Sequence, residues 1–597
     1  MVRNRIMTSL SAVVLATVAA LFLAALLPMV LGGASGPSSV GGSLVQAAPR
    51  DLHAIERPMR IAATPSLLLL SGRLYSNPAA AGQAARGASK LVLEQPVFEL
   101  EVAGAQPQTD GSSDALPIAT SQIATVLFEQ LVDRGFDALE IRQGTLIVRM
   151  SGVVSETLSD IKASLTLSRR SSLAAQGSLT VRGLRMDFDG ISGLISNKDG
   201  AKAELLPVKL AIKSAALNAM IDGKLSVAGP LALSGQLESS IPQLWQLARW
   251  LGIALPENTV LRDVAIKSQV GWSKGVLAFD KATIDLDGQQ ATGALALNYK
   301  SGRPALEGTL SFKTFDIAPY LQAFMPNGAA LDSLSSTWPS FQTRLPLVLH
   351  ADSDLRVSTP RLIYAGTVLG RGAATLSTRS GKLHADVAEL EVSGIKSSMQ
   401  VAADMNGAFP RYSVRGRMDM ANLGPLLANL FEKELLEGRG VAQFDIAGVG
   451  DHFGQLLRSA TGKVSLVAGE GTRLAADLQA INVRPRDADK APIDAGWGAL
   501  ANGQTLLDGF DVRLDVANGA ALLKKGSIQA GALSLETSGR VDFVARQLDL
   551  LVRPGSGKTP AGKPQKNADP KESASVVLRG PWENPKIRFD DGRWPKP

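Results

Sequence analysis

Gly555-Ser556-Gly557-Lys558-Thr559 ends like a phosphate-binding loop, whose backbone amides cradle phosphates when the spacing is Gly-x-x-x-x-Gly-Lys-Ser/Thr and a helix follows. The first glycine of that pattern would fall at Val552, and Pro560 stands where the helix should open. A flexible basic loop is therefore the expectation. His53, His350, His384 and His452 lie far apart, with no His-Glu-x-x-His or paired spacing that would hold a metal. The chain has no cysteine, which excludes disulfides, thiolate nucleophiles and every cysteine-ligated zinc or iron–sulfur site. Asp285 and Asp287 share one face of a strand, and Asp590-Asp591 is a second acidic pair. Without a glycine-turn loop and a distant glutamate they read as turn-capping and solvated carboxylates. No catalytic, cofactor or metal constellation emerges, and the chain is expected not to be an enzyme.

The remaining sequence must then be explained by its elements. It has 597 residues, 45% apolar and 20% charged, with 58 glycines and 31 prolines, an excess that favours turns. Its net charge of +7 is spread thinly, and no basic stripe points to nucleic acid. From Ile6 to Leu31 there is no charged residue, and about 20 apolar residues suffice to cross a bilayer as helix. Arg3 and Arg5 flank this run on one side, and the nearest downstream cation is Arg50. That asymmetry places the N-terminus in the cytoplasm and exports the bulk. Cleavage after Val45-Gln46-Ala47 is the competing reading, but a signal-peptide core is only about 7 to 15 residues long and sits near its cleavage site. A single membrane anchor is expected over 1–31, then a Gly/Ser/Pro-rich linker over 32–60.

Past the linker the dominant pattern is alternation at period two, the mark of strands with one buried and one wetted face. Phe510, Val512, Leu514 and Val516 oppose Asp511, Arg513 and Asp515. In GALSLETSGRVDFVA, read as a hairpin, Leu533, Leu535, Val541 and Phe543 oppose Ser534, Glu536, Arg540 and Asp542. Leu306, Leu310 and Phe312, and then Val464 and Leu466, repeat the pattern. Asp222-Gly223, Asp287-Gly288, Asn502-Gly503 and Asn518-Gly519 are pairs that accept positive φ in tight hairpins. Short helices are expected after Pro242, Pro319 and Pro425, each following a strand-like stretch that begins at a glycine, and from Phe453 to Ser459. The Pro242 helix carries Trp245 and Trp250 beside Leu244, Leu247 and Leu251, a composition suited to plugging a core and also to a membrane or groove contact. The stretch 555–572 has no large apolar residue and is expected to be a flexible loop.

Phe453 to Leu478, Phe510 to Pro554, and SASVVLRGPWENPKIRFD with Gly580, Trp582, Pro585 and Asp590 resemble the AsmA family of bacterial envelope proteins. The resemblance covers about 451–590 and is schematic before that. It departs from the family where Gly496-Trp497-Gly498-Ala499-Leu500 stands in place of a frequent Thr-x-Phe pair. It implies a mainly β protein anchored in the inner membrane. Its periplasmic part would be a long, repetitive antiparallel β-groove or taco with a few short helices, similar to bridge-like lipid transfer proteins. The organisation expected is a repetitive β region over 61–450 and an AsmA-like module over 451–597. The function implied is handling of phospholipid between inner and outer membrane in support of outer-membrane integrity, with Val512, Leu514, Leu533, Leu535, Val541 and Phe543 lining the groove. The alternative is a scaffold or assembly factor for outer-membrane proteins, binding a polypeptide partner through sheet edges. Period two alone does not separate a groove from a closed sandwich.

Overall fold

The computed structural model describes residues 53–54, 59–63, 66–77, 90–102, 138–150, 153–168, 172–193, 205–226, 232–250, 262–273, 276–300, 303–320, 345, 351–364, 366–392, 395–424, 436–478, 503–555, 575–582 and 585–589. The anchor at Ile6 to Leu31, the linker as far as residue 52, Val45-Gln46-Ala47, His350, Asn502, Gly496 to Leu500, the loop 556–572 and Asp590-Asp591 lie outside them, while His53–Ala54 and Met59–Ala63, at the end of the expected linker, are strands paired with Ser66–Asn77. Among the described residues the protein is mainly β, and no helix is long and apolar enough to cross a membrane. It divides into two compact units, Met1–Ser311 with His350–Ser353, and Phe312–Leu349 with Asp354–Pro597. No division falls at 450/451, because strand Gly440–Val449 pairs directly with Thr461–Ala468 across that point.

In the first unit most neighbours along the chain pair antiparallel, as alternation and short turns require. Strands Lys90–Val102 and Ala138–Met150 depart from this and pair parallel, from Lys90↔Ala138 to Val102↔Met150. The sheet is therefore mixed where an antiparallel one was expected. A parallel pair needs a crossover of a dozen or more residues, and the intervening 103–137 is long enough to supply one. A second parallel contact, Phe315↔Leu362, occurs within the second unit. Non-glycine residues at positive φ interrupt several strands of the first unit: Gln95, Gln143, Asp160 and Lys281. The pairing register slips at Ile141/Gly144, Ser159/Lys162 and Phe279/Ala282. These are bulges, each adding a residue and bending its strand. Two in adjacent strands are joined by a hydrogen bond from Gln95 Nε2 to Gln143 Oε1 of 3.2 Å.

The core of this unit lies on one sheet face. Cross-strand partners share a face, so the rows Leu210↔Ile221↔Leu237, Val208↔Gly223↔Gly235↔Val270 and Leu225↔Leu233↔Trp272 form one apolar surface. It is dry, with Leu225 fully buried and Val208 and Ile221 nearly so. Helix α1, Leu244–Trp250, adds Leu247 to it. Pro242 ends the preceding strand rather than opening the helix. The carbonyl of Gln243 receives the amides of Gln246 and Leu247, and Leu244 N donates to Arg262 O at 2.9 Å.

Glycine is used differently from the expectation of turns alone. Asp222-Gly223 is no turn: both residues lie inside strand Asn218–Ser226. A Cβ on Gly223 would stand 2.2 Å from Ser234 O, and one on Gly235 would stand 2.5 Å from Asp222 O, so the paired backbones approach too closely for any side chain. Gly293, Gly462 and Gly539 repeat the arrangement. Asp287-Gly288 and Asn518-Gly519 are hairpin turns as expected, with paired positive φ.

Candidate functional site

In the second unit, strands Ile395–Asp404, Arg411–Met420, Gly440–Val449, Thr461–Ala468, Gly509–Ala517, Ala520–Ala530, Leu533–Asp542 and Gln547–Pro554 pair antiparallel in succession. Three rows of side chains cross them on one face. The first is Val401↔Val414↔Ile446↔Gly462↔Val516↔Ala521↔Val541↔Leu548, and the second Met399↔Gly416↔Phe444↔Val464↔Leu514↔Leu523↔Gly539↔Leu550. The third runs Ser397↔Met418↔Ala442↔Leu466↔Val512↔Gly526↔Thr537↔Val552. Phe444 leans over Gly416, whose Cβ would meet the ring at 2.6 Å, filling the gap that glycine leaves. The Arg540 to Asp542 end of GALSLETSGRVDFVA continues strand Leu533–Asp542, so that segment is one strand and not a hairpin. Gly539 is a point of close approach to Asp549 O.

Burial varies along this apolar face. At one end of the strands, Leu535 and Phe510 share a cluster with Leu423, Leu436, Leu474 and Leu507, several of them on a small sheet of Leu436–Glu437, Thr472–Leu474 and Thr505–Leu507. At the other end, Val516 and Ala521 pack with Ala460, the residue that closes helix α2, Phe453–Ser459. This helix lies where alternation gives way in the sequence. Gln455 Oε1 accepts from Asp451 N at 3.1 Å, and Ser459 Oγ accepts from Val449 N at 2.7 Å, tying both helix ends to the strand. Between the two ends, Met399, Val401, Val414, Phe444, Ile446, Val464, Leu466, Val512 and Leu514 are half-buried. Strand Arg411–Met420 alternates exposed and half-buried residues along almost its full length.

All five expected lining residues on strands face this surface. Leu514, Val541 and Phe543 gather around Val516 and Ala521. Leu533 and Leu535 belong to the other cluster, and Leu535, 4% exposed, is core rather than groove wall. Val512 lies between them. Phe543 sits past its strand's end against Trp582, ring centroids 6.4 Å apart. Three of these eight strands lie before 451, and they carry five of the nine half-buried residues. Their signal was present in the strict alternation of RYSVRGRMDM, Arg411 to Met420.

The opposite face is polar. A concavity of about 980 Å³ there is flanked on successive strands by Arg415 and Arg417, Gln443 and Asp445, Lys463 and Ser465, and Arg513 and Asp515. A twisted sheet is saddle-shaped, so each face is hollow along one diagonal. Here the charges neutralise one another. Arg415 pairs with Asp445 at 2.7 Å, Arg417 with Asp419 at 2.7 Å, and Lys524 with Asp515 at 2.9 Å. The hydrogen bond from Arg417 holds Asp419 below the ordinary carboxylate range, and that from Lys524 does the same for Asp515. Asp404 is lowered chiefly by the backbone N–H of Asn406, and Glu140 in the first unit by Arg142 and then Lys90. A carboxyl lowered by folding contributes stability above its unfolded value and loses it as pH falls through the folded one. Melting temperature is therefore expected to be level from about pH 8 to 5 and to fall below about pH 4. A melting series showing a rise on acidification would contradict these pairings.

The chemistry-bearing residues are not assembled. His384 is exposed on strand Lys382–Val392, and His452 Nδ1 lies 2.5 Å from Asp451 Oδ1 at the start of α2. Asp285 Oδ1 accepts from Gly288 N at 2.8 Å, and Asp287 Oδ1 from Arg262 N at 2.8 Å, so both carboxylates cap turns. Among the described residues no cluster of three His, Asp or Glu could hold a metal ion. One spacing is easily overlooked: Gly271-Trp272-Ser273-Lys274-Gly275 has the Gly-x-Ser-x-Gly form of a nucleophile elbow. That elbow needs a strand leading into a helix. Here Ser273 pairs with Val276 and the chain returns as an antiparallel strand, while Trp272 is buried in the core. Comparison with protein-family models and with curated proteins returns no match.

Proposed function

We propose that this is an inner-membrane-anchored periplasmic protein of the AsmA type that carries phospholipid along the half-buried apolar face of its second unit, without catalysis. The observation that carries this reading is the contrast along one face, dry at both strand ends and half-buried across Met399, Val414, Phe444, Val464 and Leu514. A second sheet packed over those strands would bury them as fully as Val208 or Ile221. An acyl chain laid across the rows would remove the same apolar area from water, at about 25 cal/mol per Å². The charged outer face keeps the sheet soluble in an aqueous compartment.

A photoreactive residue at Val464 or Leu514 is expected to crosslink phospholipid in cells. A scaffold for outer-membrane proteins would instead give protein adducts and co-purify with an assembly partner free of lipid. What favours that second reading is the edge strand Lys586–Phe589, which among the described residues pairs on one side only. The anchor reading makes a separate prediction. A reporter active only outside the cytoplasm, fused after Pro597, should be active while the protein stays in the inner-membrane fraction. An inactive fusion would overturn the orientation, and a soluble periplasmic species of reduced mass would indicate cleavage near Ala47.

A further inference from the structure

Two buried hydroxyls on the apolar face of the second unit are left without a role by the fold. Ser397 and Thr537 stand in the third row of that face, with Met418, Ala442, Leu466, Val512 and Gly526 between them. They are 5% and 7% exposed, and neither Ser397 Oγ nor Thr537 Oγ1 has a hydrogen-bond partner among the described residues. A hydroxyl taken out of water without a partner destabilises the fold, so nearly all buried ones are bonded. Their row is a border. Toward one strand end lies the dry cluster with Ile395 and Leu535, and toward the other lies the half-buried stretch with Met399 and Leu514. Gly526, directly across from Thr537, has no backbone need for glycine. Its φ is outside the left-handed range, and an added Cβ would first meet the side chains of Val512, at 3.3 Å, and Leu523, at 3.4 Å. Along the row, therefore, no side chain stands between Thr537 and half-buried Val512.

We propose that these two hydroxyls donate hydrogen bonds to the ester carbonyls of an acyl-ester lipid lying across the apolar rows. The polar linkage of that lipid is then held at the third row and its acyl chains on the half-buried rows beside it. This assignment rests on the lipid reading above and adds what the track recognises. An ester supplies the acceptor that a lone hydroxyl lacks and brings no N–H of its own. An extended polypeptide would bring an N–H with almost every carbonyl, and each would need an acceptor that the side chains of Ala442, Leu466 and Val512 do not offer. Ser268 of the first unit is the contrast. It too is buried and has no hydrogen-bond partner among the described residues, but it lies at a bulge, opposite Leu237 in the dry core.

The test uses the full chain in maltoside detergent, given an equimolar mixture of a diacyl phosphatidylglycerol and its dialkyl ether analogue, which keeps the chains and headgroup but lacks both carbonyls. Mass spectrometry of the lipid retained after capture of the protein reads the ratio of the two. Wild type is expected to retain the ester form in excess. Thr537→Val, which is nearly isosteric, and Ser397→Ala are each expected to lower that excess about fivefold, the contribution of one ordinary hydrogen bond. Retention of the ether lipid and the lipid-free melting temperature should not fall in Thr537→Val, because the group removed has no partner in the empty protein. Ser268→Ala should leave the ratio as it is. Equal retention of ester and ether lipid by wild type, or a wild-type ratio in both Thr537→Val and Ser397→Ala, overturns the proposal and leaves the lipid track standing. So does an equal loss of ratio in Ser268→Ala, or a lowered lipid-free melting temperature in Thr537→Val, which would mean that its hydroxyl is already bonded. Retention of polypeptide with neither lipid overturns both the proposal and the track.

Discussion

Leu535→Glu is expected to abolish accumulation of the folded protein, whereas Leu514→Asp is expected to leave it accumulating but unable to maintain the outer-membrane barrier. Both leucines occupy the same face and are equivalent by period. Leu535 is 4% exposed within the cluster that includes Leu436 and Leu507. A carboxylate there has no water and no described partner, and the cost of several kcal/mol is comparable to a domain's whole stability of about 5–15 kcal/mol. Leu514 is half-buried between Val464 and Leu523. Losing its burial costs about 1–2 kcal/mol, and a charge there still reaches solvent while obstructing an acyl chain. Immunoblotting, detergent-permeability assays and photo-crosslinking at position 514 read the three quantities. Degradation of the Leu514→Asp protein together with no lipid adduct at 514 would mean a closed core, and the lipid track would have to be given up.

Gly223→Val is expected to destabilise the first unit by at least about 3 kcal/mol, because the new side chain meets backbone rather than a side chain that can rotate away. The obstacle is Ser234 O, with the Gly235 Cα 2.7 Å from the added carbon. Relief would require separating strands Asn218–Ser226 and Ala232–Ile241, whose pairing carries Ile221, Leu225, Leu233 and Leu237 of the core. Gly271→Ala is the matched control. Its added carbon finds nothing within 4 Å, and its effect should stay within about 1 kcal/mol. Thermal unfolding and limited proteolysis compare the two. Equal stability of the Gly223 and Gly271 variants would show that the close approach of these two strands does not depend on the glycine pair.

Local rules were legible wherever local chemistry decides. Alternation such as Phe510, Val512, Leu514 and Val516 against Asp511, Arg513 and Asp515 identifies strands and their apolar face, because side chains on a strand must alternate. Asp287-Gly288 and Asn518-Gly519 identify hairpins, because few residue pairs tolerate two positive φ values. Helix α2 is bounded as its sequence indicates, from Phe453 to Ser459. Only tertiary structure decided what those rules leave open. Asp222-Gly223 has the chemistry of a turn, yet it lies within a strand, because Gly235 of the next strand needs that space. Leu514 and Leu535 have the same period, but only one is covered by Leu436 and Leu507, which are distant in sequence. The parallel pairing of Lys90–Val102 with Ala138–Met150 rests on a crossover that no period encodes. Helix α1 meets the turn that follows Val181 through the Trp250 indole N–H, which reaches that residue's carbonyl from 69 positions away. Period two reports which face of a strand is apolar; what lies against that face depends on residues far along the chain, and only their packing reveals it.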